Sequence, residues 1–249
     1  MKKITLLLLG IALSVSNLFA KRVVAYTTYY GNTNNIQYGK ITDLVYGFAD
    51  VSTIGSVTIK EINKFNIVLA AAKKNGVNIH LSVGGANNSA NFSTLVNSPT
   101  AIATFATNVN NMIVTYGLAG VDIDWEFPAA AQSYKVEQML KAVKEKIGTK
   151  ELSVAVAATS YNTGAYTAGS DKYIDFYNLM VYDEGLVGKN HSSYAFAQQS
   201  ISYWANTKNI KKSKMILGLP FYGRSINGWA TELEAVSYTH LTLPTTPYV

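Results

Sequence analysis

Short apolar runs rich in β-branched and aromatic residues alternate with longer amphipathic stretches along most of the chain. The short runs predict seven strands, over residues 23–26, 43–48, 78–83, 120–126, 152–157, 176–182 and 215–220. The longer stretches have helical length and apolar spacing and predict helices over residues 61–75, 100–116, 133–147 and 193–206. This alternation predicts parallel strands that are joined by helical crossovers.

The number of β/α steps selects one fold class within α/β. Seven steps within residues 21–235 match a (β/α)8 TIM barrel, which takes about 250 residues, without its last unit. A doubly wound open sheet is the alternative, and it would place a phosphate loop after its first strand. Residues 26–31, Tyr-Thr-Thr-Tyr-Tyr-Gly, lack both the glycine-rich fingerprint and the Lys-Ser/Thr of a nucleotide site. We therefore expect one barrel domain.

The two ends of the chain do not fit the barrel pattern. Residues 1–20 have Lys2 and Lys3, an apolar run and a small Ala20, the layout of a secretory signal peptide, with a retained membrane anchor as the alternative. Residues 236–249 resemble translated adapter sequence from a DNA library, with a threonine-rich tail as the alternative. We expect a secreted protein, extracellular or periplasmic, with no membrane attachment after cleavage, and a domain that covers residues 21–235.

Composition excludes several classes of function. The chain has no cysteine, so disulfides and thiolate metal sites are impossible. Its net charge of +6 comes from scattered lysines, without the basic stripe that nucleic-acid binding requires. His80 and His191 lack metal-ligand spacing, and no Ser-His-acid or Cys-His arrangement is present. We expect no metal, no cofactor and no nucleic-acid partner.

Three carboxylates mark the fourth predicted strand. Asp122, Asp124 and Glu126 lie at positions i, i+2 and i+4, so strand alternation places them on the face that becomes the barrel interior. Same-face neighbours are about 6.6 Å apart, close enough for one anion to keep another carboxyl protonated near neutral pH. A protonated carboxyl at the C-terminal end of a barrel strand is suited to general acid catalysis.

A family resemblance begins at this strand. Residues 118–128, Leu-Ala-Gly-Val-Asp-Ile-Asp-Trp-Glu-Phe-Pro, resemble the signature D-G-x-D-x-D-x-E of glycoside hydrolase family 18. Further matches lie at or near the ends of other predicted strands, as Tyr-Gly-Phe-Ala at 46–49, Ser-Val-Gly-Gly at 82–85, Met-Val-Tyr-Asp at 180–183 and Gly-Leu-Pro-Phe-Tyr-Gly-Arg at 218–224. The resemblance covers roughly residues 22–230.

The resemblance implies substrate-assisted hydrolysis, an exception to the usual scheme with two carboxylates. Glu126 would protonate the glycosidic oxygen while the 2-acetamido carbonyl of the substrate attacks the anomeric carbon. Asp124 would hold the acetamido N–H, supported by Asp122, and Tyr182 would bond the acetamido oxygen. The sugar-binding residues would be Tyr26, Phe48, Ser82, Gly84, Gly85, Trp125, Met180, Asp183, Tyr222 and Arg224.

Two departures from the family pattern qualify these expectations. Ala119 replaces the first acid of the signature, which predicts a weakened carboxylate relay, and no strand-8 tryptophan precedes Ala235. Because an unclosed barrel leaves open strand edges, we expect these 249 residues alone to be poorly stable or inactive. The implied substrate is β-1,4-linked N-acetylglucosamine, in chitin or chito-oligosaccharides. An endo-β-N-acetylglucosaminidase acting on glycans and a non-catalytic chitin-binding lectin are the alternatives.

Overall fold

A computed structural model describes residues 22–184 and 191–222. Its strands are β1 (Val24–Thr28), β2 (Asp43–Val51), β3 (Val57–Thr58), β4 (Asn78–Gly84), β5 (Gly120–Asp124), β6 (Glu151–Ala157), β7 (Phe176–Met180) and β8 (Met215–Gly218). Its α-helices are α1 (Ile62–Lys74), α2 (Phe92–Leu95), α3 (Pro99–Tyr116), α4 (Ser133–Ile147), α5 (Ala168–Asp171) and α6 (Tyr194–Ser202). A π-helical turn, Tyr203–Thr207, extends α6. All seven predicted strands and all four predicted helices are confirmed, with ends shifted by a few residues.

The sheet follows the chain order of a (β/α)8 barrel. Seven strands pair in parallel in the order β1-β2-β4-β5-β6-β7-β8, and the short β3 pairs antiparallel with β2. The predicted fold class is therefore confirmed, and the described sheet corresponds to seven of the eight barrel strands. Within residues 22–184 and 191–222, β1 and β8 do not pair with each other.

Local sequence explains where the helices begin and end, as α3 shows. The Ser98 side chain accepts a hydrogen bond from the Ala101 N–H, and Pro99 occupies the first turn, where its missing N–H has no cost. At the other end Gly117 adopts the left-handed conformation, with φ of 62°, that closes many helices. The buried face of the helix comprises Ala101, Ile102, Phe105, Ala106, Val109 and Ile113.

Side chains that point into the barrel form successive layers across β4, β5 and β6. His80, Gly120 and Glu151 are paired in register at the N-terminal end of the strands. Ser82, Asp122 and Ser153 form the next layer, and Gly84 pairs with Asp124 near the C-terminal end. Side chains of the opposite parity, such as Val121 and Ile123, pack outward against the helices in the apolar core. The acidic face predicted for the fourth strand therefore lies inside the barrel.

No helix in the described part of the chain is both long enough and apolar enough to cross a membrane. The predicted signal peptide, the predicted tail and Arg224 lie outside the described residues. They stay predictions.

Candidate active site

The end of β5 positions the three acids of the signature. Asp122 and Asp124 lie in the strand, whereas Glu126 lies two residues beyond its last residue, so the predicted strand was two residues too long. Asp122 is fully buried, Asp124 is 3% exposed and Glu126 is partly buried. The acids therefore lead from the barrel interior to the C-terminal face, where barrel enzymes place their sites.

Asp122 is surrounded by hydrogen-bond donors from four other strands. Oδ2 accepts from Tyr26 Oη on β1 at 3.0 Å and from Ser82 Oγ on β4 at 2.8 Å. Oδ1 accepts from Ser153 Oγ on β6 at 2.6 Å and from Asn178 Nδ2 on β7 at 3.1 Å. Four donors match the acceptor capacity of an ionised carboxylate. This arrangement fixes Asp122 and gives its negative charge a fully hydrogen-bonded position.

Asp124 has a very different environment. Its Oδ1 is buried and has no hydrogen-bond partner among the described residues. Burial raises the pKa of Asp124 well above its usual range, and the negative charges of Glu126 and Asp122 raise it further. Asp124 is therefore expected to hold a proton at a pH where an ordinary aspartate has lost it.

Glu126 is also shifted towards its protonated form. Burial is the largest cause of its raised pKa, and the charge of Asp183 adds to it. No described lysine or arginine contributes to the shifts of Glu126 or Asp124. The site can therefore donate a proton from Glu126, and its negative field suits a positively charged intermediate.

Aromatic and polar groups that follow β7 and β8 lie beside the acids and form the rest of the described site. Burial raises the pKa of Tyr182, and the Asp124 charge raises it further, so its hydroxyl remains a neutral donor near these acids. The Tyr182 and Tyr222 rings meet at 6.1 Å, and Tyr222 Oη donates to Asp183 Oδ1 at 3.0 Å. The backbone N–H of Asp183 donates to His191 Nδ1 at 3.2 Å. The structure thus brings Tyr182, Asp183 and Tyr222 together, and their roles towards a substrate stay predictions.

Two predicted sugar-binding residues have other contacts. Ser82 is fully buried and its hydroxyl donates to Asp122, so it positions that carboxylate rather than touching a sugar. Trp125 is 2% exposed and stacks on Phe92, with ring centroids 5.4 Å apart, in the core outside the strands. Predicting either residue as a substrate contact was wrong, because their side chains are enclosed by protein.

The paired glycines have steric reasons for their identity. A Cβ on Gly84, whose φ is 111°, would lie 2.3 Å from the Asp124 carbonyl oxygen. A Cβ on Gly85, whose φ is 83°, would lie 2.8 Å from the Phe48 ring. These two residues therefore allow the chain after β4 to approach Asp124 and Phe48 closely. Any contact of either glycine with a sugar stays a prediction.

The other predicted sugar contacts remain compatible with the structure. Tyr26 is 40% exposed, although its hydroxyl bonds Asp122. Phe48 and Met180 are partly exposed at the C-terminal ends of β2 and β7. Their contacts with substrate stay predictions.

Position 119 is remote from the acids. Alternation along β5 places Ala119 on the face opposite Asp122, at the N-terminal end of the strand. It lines a groove of about 330 Å³ that also contains Lys73, Gly117, Leu118 and Lys150. The expectation that Ala119 weakens the carboxylate relay is therefore wrong, because a side chain there cannot reach the barrel interior.

The remaining partners of the site were not predicted from the sequence. Ser153 and Asn178 donate to Asp122 but belong to strands whose interior side chains have no motif. An ionic cluster at the opposite end of the barrel was not predicted either. In it Arg22 bonds Asp43 and Glu151, and His80 lies between them. The ligand-type atoms of Asp43, His80 and Glu151 lie within 4.8 Å of one another, and the Arg22 guanidinium provides their counter-charge.

Comparisons with known proteins agree with this geometry. Residues 22–242 match the family model described as glycosyl hydrolases family 18. The chain is 28% identical over 202 residues to chitinase 1 of Aphanocladium album, covering 71% of this chain and 47% of that protein. It is 31% identical over 178 residues to chitotriosidase-1 of Mus musculus, covering 58% and 38%. The chain thus spans less than half the length of these two relatives.

Solved structures show the same fold. The chitinase domain of the spore coat protein CotE from Clostridium difficile superposes with a TM-score of 0.72 at 27% identity, covering 85% of this chain and 70% of that one. A chitinase from Bacteroides thetaiotaomicron gives a TM-score of 0.74 at 25% identity, covering 82% and 68%. The family match runs past residue 235, and the domain boundary there stays a prediction.

Proposed function

The chain belongs to the glycosyl hydrolases of family 18, and on that premise we propose that it is a secreted, retaining glycosidase. Its proposed substrate is β-1,4-linked N-acetylglucosamine in chitin or chito-oligosaccharides. The observation that supports this proposal most strongly is the pair of Asp124 and Glu126, both with raised pKa values, at the C-terminal end of β5. The family match and the relatives named as chitinases support the substrate class.

Glu126 acts first, as the general acid. Its raised pKa keeps a proton available, and transfer of that proton to the glycosidic oxygen releases the leaving sugar as an alcohol. The carbonyl oxygen of the substrate's own 2-acetamido group attacks the anomeric carbon as the glycosidic bond breaks. The product of this step is a cationic oxazolinium ring on the substrate.

Asp124 and Asp122 stabilise that cation. Asp124 accepts the acetamido N–H, and the hydrogen-bonded Asp122 contributes a fixed negative charge behind it. Tyr182 donates to the acetamido oxygen. Glu126, now ionised, deprotonates the water that opens the ring, so the anomeric configuration is retained.

Glu126→Gln tests this assignment in the intact protein. Glutamine keeps the shape but cannot donate the proton, so turnover of a chito-oligosaccharide should fall by about 10²- to 10⁴-fold. Glu145→Gln is the matched control, because Glu145 lies on α4 and pairs only weakly with Lys141 at 3.8 Å. Unchanged turnover by the Glu126 variant would refute the proposal. Cleavage of an N-glycan core but not of chito-oligosaccharides would replace the proposed substrate with a glycan.

A further inference from the structure

The loop between β4 and α2, together with Phe92 at the start of α2, contacts the last residue of β5 and the two residues that follow it. The Gly85 N–H donates to the Asp124 carbonyl oxygen at 2.8 Å. The Phe92 ring stacks on Trp125 at an interplanar angle of 24°. Ser89 Oγ accepts from the Glu126 N–H at 3.2 Å and donates to the Glu126 carbonyl oxygen at 3.3 Å. These contacts therefore hold each of the three residues from Asp124 to Glu126, the proposed acid.

Glu126 needs such support because it lies beyond the sheet. The β4–β5 pairing ends at Gly84 with Asp124, and the β5–β6 pairing ends at Ile123 with Val154. The Ser89 hydroxyl, on a residue 2% exposed, satisfies both backbone groups of Glu126. One side chain thus replaces the strand partner that residue 126 no longer has.

We propose that Ser89 is a positioning residue that fixes the backbone of Glu126 and thereby aims its carboxyl group at the scissile bond. This inference rests on the proposed function of Glu126 as the general acid. Displacing a proton donor by about 1 Å can lower the reaction rate by about 10²-fold. The backbone hydrogen bonds that hold Glu126, which has no strand partner, therefore matter for catalysis.

The loop has other attachments that do not depend on the Ser89 hydroxyl. Asn91 Nδ2 donates to the Val51 carbonyl oxygen at 2.8 Å, and the Phe92 N–H donates to the Ser89 carbonyl oxygen at 3.1 Å. The Gly85 bond and the Phe92 stacking also remain when the hydroxyl is removed. Ser89→Ala should therefore leave the loop folded while it frees Glu126.

The test compares Ser89→Ala with Ser98→Ala in the intact protein. Ser98 caps α3 by accepting the Ala101 N–H at 3.2 Å, so its loss also removes one serine–backbone bond, but far from the acids along the chain. We expect Ser89→Ala to lower kcat by about tenfold to a hundredfold with KM changed less than about twofold. Ser98→Ala should lower Tm and leave kcat unchanged when it is assayed below its transition. Unchanged kcat in Ser89→Ala, or a loss that disappears below its own transition, would overturn the proposal.

A second readout does not need turnover. Titration of the Glu126 carboxyl carbon by NMR in protein labelled at glutamate should show the pKa of Glu126 moving down towards its ordinary value in Ser89→Ala, because a less restrained carboxyl is better solvated. It should not move in Ser98→Ala. If the wild type does not hydrolyse chito-oligosaccharides, the proposed function fails, and this titration alone decides whether Ser89 positions Glu126. An unchanged titration would then refute that role.

Discussion

The two ends of the barrel interior hold buried carboxyl groups in opposite electrostatic settings. At the N-terminal end, Asp43 is 1% exposed and lies 3.2 Å from both Arg22 Nε and His80 Nε2. At the C-terminal end, Asp124 is 3% exposed, with anionic neighbours and an unpaired Oδ1 among the described residues. Two aspartates of similar burial therefore differ mainly in the charge of their neighbours.

Their pKa values differ accordingly. Burial alone would raise the pKa of Asp43, but hydrogen bonds from His80 and Thr42 and the charge of Arg22 outweigh it and lower the pKa to about 2. For Asp124, burial and neighbouring charges act in the same direction, and the pKa rises well above its usual range. Burial does not by itself decide protonation. We call the N-terminal end, where Asp43 lies beside Arg22 and His80, the paired end, and it should contribute stability. We call the C-terminal end, where Asp124 has acidic neighbours, the unpaired end, and it should cost stability and provide chemistry.

Asp124→Asn tests the unpaired end and should have the largest effect. Unlike the aspartate, the amide cannot release a proton to balance a cationic intermediate as it forms, so turnover should fall by about 10²-fold or more. An acid with a raised folded-state pKa destabilises the protein above its unfolded pKa, so the same variant should have a higher Tm at neutral pH. Kinetics and calorimetry on one preparation check both results. Lower Tm together with lost activity would show that Asp124 is a structural residue.

Asp43→Asn is the matched change at the paired end. It removes the buried acceptor of Arg22 and His80, which keep only the partly exposed Glu151, and should cost about 1–3 kcal/mol of unfolding free energy. Turnover measured below the transition should be unchanged, because Asp43 lies at the opposite end of the strands from Glu126. Denaturant unfolding gives the cost. A selective loss of kcat in a fully folded Asp43 variant would end the distinction between the two ends.

Acid unfolding should isolate the contribution of Asp43. Its depressed folded-state pKa gives stability that is present above about pH 4 and is lost as the pH falls through about 2. The loss is about 2 kcal/mol for a pKa lowered from 3.8 to about 2. Unfolding free energies measured across this range should fall less steeply in Asp43→Asn. Equal slopes would mean that Asp43 is not ion-paired in solution.

Asp183→Asn should alter the pH dependence of the unpaired end. The charge of Asp183 raises the pKa of Glu126, so its removal should let Glu126 ionise at lower pH. The alkaline limb of the kcat/KM profile should therefore move to lower pH by less than about one unit. Asparagine tolerates the φ of 64° at this position, so the backbone should be retained. A limb that stays in place would assign the raised pKa of Glu126 to burial alone.

The two ends were not equally predictable from the sequence. The acids of β5 follow one another at every second position, so alternation alone placed Asp122 and Asp124 inside the barrel. Arg22, Asp43, His80 and Glu151 come from the starts of different strands, and only the parallel register brings them together. Trp125 is the opposite case, a predicted substrate contact that the structure does not support. It stands next to Glu126 in the motif, but its side chain is buried on the face opposite the acids. Contacts within one strand could be predicted, whereas contacts across strands required the register.

Ala119→Asp should have the smallest effect and directly tests the corrected role of position 119. Lys73 Nζ donates to the Tyr116 carbonyl oxygen at 2.6 Å and Lys150 Nζ to the Leu118 carbonyl oxygen at 2.7 Å, so two ammonium groups lie beside this position. A carboxylate there should stabilise the fold by less than about 1 kcal/mol, because the groove is open to solvent. Position 119 lies seven positions before Glu126 along the chain, about 23 Å at the rise of an extended chain, so kcat and its pH profile should not change.

Ala119→Asn, which has the same shape without the charge, is the control for this change. A gain in stability that is specific to aspartate and weakens with added salt would identify pairing with the lysines. A rise in kcat or a shifted pH profile would instead restore position 119 to the relay. In that case the separation of the barrel into a paired, stabilising end and an unpaired, catalytic end would be wrong, since a charge at the first would control chemistry at the second.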